Sequence, residues 1–243
     1  MPELTRREKT RQATRQEILD AARRLLAAGG PSNVSVRAVA GEIGMTAPGI
    51  YRYFPRHEDL LIELNDRVAG ELLAALVEGA AGQPADDPGR QLVAAARAFR
   101  RWCIDHPREF QLAFGLAPAP PGDAVPPHCD VPNVRKLCAS FFILFVAIWR
   151  QRPFDLPDPD TIDAHLVEQM QEFVTERMTT ELGEDFTDVP VGLVRLYADA
   201  WSRLYGTVAI EIYGHMRFIV TDGQALFDAI LKEYVTTVLG VDA

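Results

Sequence analysis

The chain has 243 residues, 48% of them hydrophobic and 24% charged, and a formal net charge of −9, which together read as a globular protein with a sizeable core in one large domain or two smaller ones. Its longest apolar run, Phe141 to Trp149, is about half of a membrane span, and its arginine-rich start has no apolar segment of the kind that marks a secretory signal. Three cysteines, Cys103, Cys129 and Cys138, cannot all pair and show no CxxC spacing, so reduced thiols, no membrane insertion and a cytoplasmic location are expected.

The net charge conceals an asymmetry. Residues 1–56 hold ten Lys or Arg against five Asp or Glu, whereas residues 57–243 hold 15 against 29. A basic segment on an otherwise acidic chain has the electrostatics of a nucleic-acid-binding module, because phosphate contacts supply most non-specific affinity. An ordinary solvated charge run gives the same count.

Taken in order, the elements are helical. Ile18, Leu19, Ala22, Leu25 and Leu26 form one face of a helix over 14–28, and Thr14 with Glu17 has capping-box spacing. Gly29-Gly30-Pro31-Ser32-Asn33 breaks it, and Ser35 is placed to cap a short second helix carrying Val36, Val39, Ala40 and Ile43. Gly44 stops that helix, and Thr46 caps a third, over about 46–54, in whose first turn Pro48 is tolerated because amides there lack partners. Two short helices joined by a glycine turn and packed on a preceding helix are a helix-turn-helix, whose second helix enters the major groove. Ile50 and Phe54, four apart, would pin that helix to the core, while Ala47, Pro48, Gly49, Arg52 and Tyr53 face outward. Small residues at its tip permit close approach and contact with thymine methyls, and Arg52 with the tyrosine hydroxyls suits phosphates. Tyr51 and Phe54 also fit the core of a plain helical bundle, so the outline alone leaves both readings open.

Downstream, a long helix is expected from Glu58 to about Ala80, then a break at 82–89 and a helix through "RQLVAAARAFRRWCIDH". Pro107 opens a short helix with Phe110 and Phe114, followed by the proline-rich loop "APAPPGDAVPPHCDVP". The helix "VRKLCASFFILFVAIW" is apolar nearly all round and is expected to be buried centrally. An amphipathic stretch at 161–180 and two final helices, near 190–216 and 224–239, complete an all-α chain: an N-terminal three-helix helix-turn-helix DNA-binding domain over 1–57 and a helical bundle over 58–243. Such a bundle could enclose an apolar pocket among Trp102, Phe110, Phe114, Phe141, Phe145, Trp149, Met170, Phe173 and Trp201, although any one of these aromatics serves equally as core.

The stretch from Ile18 to Leu61, with "ILDAARRLLAAGG", "VSVRAVAGEIGMTAPGIYRYFP" and "EDLL", resembles the N-terminal domain of the TetR family of bacterial transcriptional regulators. Tyr51 and Phe54 within "IYRYF" are its most distinctive positions. The resemblance implies that Ala47, Pro48 and Gly49 face bases and that Arg37, Thr46, Tyr51 and Tyr53 meet the DNA backbone. Where the family usually has a phosphate-touching lysine at the start of its fourth helix, this chain has His57, preceded by Arg56; a neutral imidazole donates one hydrogen bond without a full charge. The segment "WSRLYGTVAIEIYGHM" is similar to one branch of the family, with Tyr205 where that branch has a histidine. The resemblance further implies a homodimer formed by the last two helices, with Gly206 and Ala209 allowing close approach and Phe227 and Leu231 at the interface. It also implies a repressor released from a palindromic double-stranded DNA operator when a small molecule binds the bundle. Aromatic lining favours a largely apolar effector, and the acidic charge of the bundle weighs against an anionic one.

Rival chemistry is thinly represented. His165 with Glu168, and Glu211 with His215, have helical spacings that suit metal ligands, but neither completes a di-metal carboxylate set, and His128-Cys129-Asp130 has no second ligand cluster. No nucleophile-elbow, phosphate-loop or dinucleotide fingerprint is present, so neither an enzyme nor a cofactor or metal site is expected. A helical-bundle metal protein or enzyme, and a DNA-binding regulator answering to a protein partner or to oxidation of Cys103 or Cys138, stay as alternatives.

Overall fold

Thr5 sets the start of the first helix, α1, which runs from Arg6 to Gly29 in the computed structural model of the chain; the structure describes residues 5–115 and 130–240. The Glu8 amide donates to the Thr5 hydroxyl at 3.3 Å, and the Thr5 amide donates to the Glu8 carboxylate at 2.8 Å. This capping box has the same spacing as Thr14 and Glu17, and the earlier one prevails because nothing between Arg6 and Ala13 breaks a helix. Thr14 therefore lies inside α1, its hydroxyl donating back to the Thr10 carbonyl at 3.2 Å.

Short elements follow as their caps dictate. Helix α2 spans Val36–Glu42 under Ser35, whose hydroxyl accepts from the Ala38 amide at 3.2 Å, and α3 spans Ala47–Tyr51 under Thr46. Gly44 between them has φ of +66°, a conformation that only glycine adopts without strain. The recognition helix is thus shorter than the sequence pattern predicts, with Arg52 and Tyr53 in the turn after it. Helices α4 (His57–Ala81), α5 (Pro88–Asp105), α6 (Pro107–Phe114) and α7 (Pro132–Gln151) follow. The amphipathic stretch resolves into α8 (Ala164–Glu172), a π-helical turn over Phe173–Met178 and α9 (Thr179–Leu182), and α10 (Val191–Ile212) and α11 (Gly223–Thr237) close the chain. Most of the expected proline-rich loop, with His128 and Cys129, lies outside the described residues.

Two compact units emerge: the first through Glu71 together with His106–Val134, the second Leu72–Asp105 with Arg135–Ala243. In the first, Ile18, Leu26, Val39, Ile50, Phe54, Leu64 and Phe110 form the core. Polar clamps join its helices. Arg23 on α1 donates to Glu71 of α4 at 2.9 Å and to Glu109 of α6, which is only 4% exposed. Burial works to lower the Arg23 pKa, and the hydrogen bonds and charges of Glu71 and Glu109 overcome it, holding the guanidinium above its ordinary value.

The second unit is built on aromatics instead. Phe142 meets Phe173, Phe186 and Tyr197 edge-on at 5.5–5.7 Å between ring centres, and Phe99 meets Phe141 and Trp201 in the same manner. The Tyr197 hydroxyl donates to the Cys138 carbonyl at 2.9 Å, and burial pushes its pKa well up. Helix α7, expected to be buried on every side, buries one face through Leu137, Phe141, Phe142, Phe145 and Ile148 and leaves Ile143 37% exposed. By length and mean hydropathy α7 passes for a membrane span, yet its apolar face is the packing face of this unit.

Candidate nucleic-acid interface and apolar cleft

The recognition tip follows from one cap and two buried anchors. The Thr46 hydroxyl accepts from the Gly49 amide at 3.3 Å, starting α3, while Ile50 and Phe54, both fully buried, fix its inner face. That rotation leaves Pro48, Tyr51 and Arg52 exposed and Ala47, Gly49 and Tyr53 half-buried. Arg37, the second residue of α2, is exposed beside its cap. A Cβ built on Gly49 would come within 3.1 Å of the flexible end of Met45, so the glycine keeps the tip slim rather than relieving backbone strain.

The geometry of α3 depends on an arginine that helix periodicity does not flag. Arg15 Nε donates to the Glu63 carboxylate at 2.8 Å and Nη1 to the Tyr53 carbonyl at 2.8 Å, with its guanidinium 4.2 Å from the centre of the Phe54 ring. One side chain thereby ties α1 to α4 and to the turn that ends the recognition helix. Its only sequence signal is a basic residue within reach of the helix-turn-helix, which Arg11 and Arg24 share.

His57 is half-buried, with Nε2 2.5 Å from the Val34 carbonyl, a contact in which this nitrogen donates. The N–H of the neutral ring is thus spent inside the domain, leaving Nδ1 as an acceptor on the other side. Arg56 does not stand free as a substitute cation. Its amide donates to Asp59 at 3.0 Å and its guanidinium pairs with the same carboxylate at 2.5 Å, and that hydrogen bond holds Asp59 below the ordinary carboxylate range.

Within the second unit, the expected pocket residues separate. Phe141, Phe145 and Trp201 line an apolar cleft of about 60 Å³ between α5, α7, α10 and α11, with Tyr197 and Tyr234. Phe227 and Leu231 turn into the same cleft, Phe227 being 2% exposed beneath the Arg100 guanidinium. Phe110 and Phe114 pack against each other at 4.9 Å on α6, in the first unit. Trp102 and Met170 are buried and Trp149 half-buried, and Phe173 stacks on Tyr197 at 6.1 Å; none of these four lines the cleft. On α10, Gly206 faces open space and Ala209 is half-buried.

The rival ligand sets do not assemble. Glu211 pairs with Arg100 at 2.5 Å, His215 stacks on Tyr213, and His165 and Glu168 are a solvent-exposed pair 3.9 Å apart. Among the described residues no three His, Cys, Asp or Glu side chains cluster as metal ligands. Burial pushes the Cys103 thiol up, away from the thiolate that oxidation requires.

Comparison with known proteins gives this geometry a family. Residues 18–64 match the model described as bacterial regulatory proteins, tetR family, and residues 92–234 match the tetracyclin repressor-like C-terminal domain. The HTH-type transcriptional regulators Mb1846 of Mycobacterium bovis and Rv1816 of Mycobacterium tuberculosis are each 25% identical over 225 residues, covering 92% of both chains. The solved structure of SCO4313, described as a regulatory protein, superimposes with a TM-score of 0.65 at 25% identity, covering 95% of this chain and 99% of that one. The family is one of DNA-binding regulators rather than enzymes, and the cap-built recognition tip over a helical C-terminal unit accords with it: the chain belongs to the TetR family of bacterial transcriptional regulators.

Proposed function

We propose that the protein is a cytoplasmic, homodimeric repressor that leaves a palindromic operator when a small, largely apolar molecule enters the cleft of its second unit. The observation that carries the reading is the pairing of an exposed, slim α3 tip with an apolar cleft lined by Phe141, Phe145, Trp201 and Phe227. At about 60 Å³ the cleft is well below the roughly 300 Å³ or more of common ligand pockets, so the effector selects a wider arrangement of α5, α7, α10 and α11. That differential affinity is the source of induction. Ala47, Pro48 and Gly49 meet base edges, while Arg37, Thr46, Tyr51, Arg52 and Tyr53 hold phosphates; with its Nε2–H given to Val34, a neutral His57 has no donor left for a phosphate and supplies one from Nδ1 only as the imidazolium. Gly206, which faces open space, and the exposed Ile210, with Tyr213 capping the helix just beyond, give α10 an apolar face for the same helix of a second copy. Two copies place two recognition helices on a symmetric site.

Selection of genomic fragments by the purified protein at low and high salt tests this. A palindromic motif retained at high salt, and displaced by apolar ligands that also quench Trp201 fluorescence, is the expected result. Recovery of half-sites by a monomer, or displacement that survives filling the cleft by Ala200→Phe, would sink the dimer or the effector reading respectively.

A further inference from the structure

The matched DNA-binding domain begins at Ile18, but α1 begins twelve residues earlier. None of residues 6–17 is buried, so this part of the helix, about 18 Å long at ~1.5 Å per residue, contributes nothing to the apolar core. It carries Arg6, Arg7, Lys9, Arg11 and Arg15 against Glu8 and Glu17. The Glu8 carboxylate is turned back onto Thr5, and Arg15 is consumed by Glu63. Elsewhere in the same unit, Arg23, Arg24, Arg56 and Arg67 all have carboxylate partners, whereas Arg37 and Arg108 stand apart from one another on other elements without one. Among the described residues, Arg6, Arg7, Arg11 and Arg52 have none.

These four arginines converge. Arg6, Arg7, Thr10 and Arg11 of α1 face Arg52 and Tyr53 from the turn after the recognition helix across a groove of about 530 Å³, with the Arg11 guanidinium 5.9 Å from the Tyr53 ring centre. One wall of the groove is therefore the end of the DNA-reading element itself. Like charges held together without counter-charge repel one another, and a polyanion on that surface relieves the repulsion.

We propose that this groove is a second DNA-binding surface, in which Arg6, Arg7 and Arg11 grip backbone phosphates of the duplex flanking the segment read by α3. It rests on the DNA-binding reading above and extends the footprint beyond what the helix-turn-helix alone covers, by up to about five nucleotides if the full ~18 Å lies along a strand at ~3.4 Å per nucleotide. Its contribution is sequence-independent, because guanidinium-phosphate contacts position the protein without reading bases.

The experiment uses the full chain and its selected operator as two duplexes, one with native flanks and one trimmed to the palindrome. The triple variant R6Q/R7Q/R11Q, altered only at exposed side chains, is compared with the wild type and with R6K/R7K/R11K, with circular dichroism verifying the helix content of each. The expected result is a salt dependence of log affinity shallower by about 0.9 for each phosphate that the glutamine variant no longer grips, little change in the lysine variant, and no change in the preferred motif. On the trimmed duplex, wild type and glutamine variant should converge. Identical salt slopes for wild type and glutamine variant on the flanked duplex overturn the proposal while leaving the repressor reading intact. A changed motif overturns it in favour of base readout by α1, and a wild-type chain that selects no site overturns both.

Discussion

The two compact units hold their helices together by different means. In the first, helices of five to 24 residues and the start of α4 are registered by side-chain caps and by arginines that bridge two or three elements, as Arg15 and Arg23 do. In the second, Arg100 ties α5 to α10 and α11 in the same way, but α5, α7 and α10 are long and register chiefly through aromatic rings packed edge to face around Phe142 and Phe99. The difference suits the tasks proposed for them. A DNA-reading surface needs one fixed geometry, and directional charge-assisted hydrogen bonds provide it. A bundle that opens for an effector needs packing that can re-form in a second arrangement, and rings in contact have no single obligatory partner.

The contrast can be broken at its strongest point first. Phe142→Ala removes a fully buried ring with three aromatic neighbours and is expected to cost about 3–5 kcal/mol in chemical denaturation, with no dependence on salt. A loss below about 1 kcal/mol would mean the aromatic cluster is not what holds the second unit. Next, Arg23→Ala strands the buried Glu109 carboxylate and is expected to cost about 3 kcal/mol, with much of the loss recovered by adding Glu109→Gln. Absence of recovery would show that Arg23 acts by packing its stem rather than by charge.

The smallest effect belongs to the surface clamp between Arg56 and Asp59. The Arg56 hydrogen bond lowers the folded pKa of Asp59, so the clamp supports the fold at neutral pH and fades as pH falls from the ordinary carboxylate range through that lowered value. Asp59→Asn should therefore lower the thermal midpoint slightly at pH 7 and leave it unchanged at the acid end of that window. An effect that grows as pH falls would have the wrong sign for this linkage. Both residues are solvent-exposed in part, which keeps the effect small beside the buried changes.

Legibility follows the same division. The caps Ser35 and Thr46, the turn glycine Gly44 and the anchors Ile50 and Phe54 act over four residues or fewer, and each is found where its spacing predicts. The start of α1 is a local signal misassigned, because Thr5 and Glu8 carry the same box as Thr14 and Glu17 and the hydrophobic face, which begins only at Ile18, favours the later one. The solvated first turns of α1 bury nothing, so the apolar pattern gives no trace of them. Helix α7 misleads differently: its composition is apolar almost all round, and which face is covered depends on where α5, α8 and α10 lie.

Helix order, the helix-turn-helix, the charge asymmetry and the family can all be read along the chain, since capping, periodicity and turn chemistry act between near neighbours. The three-dimensional fold sets that Arg15 reaches Glu63 and Arg23 reaches Glu109, 48 and 86 residues away. It alone decided that Phe141 and Trp201 share a cleft while Phe110 and Phe114 belong to another unit, and that His57 turns inward to Val34. A guanidinium or a ring accepts many partners of suitable charge or shape, and the choice among them is made by the chain's path through space rather than by its local order.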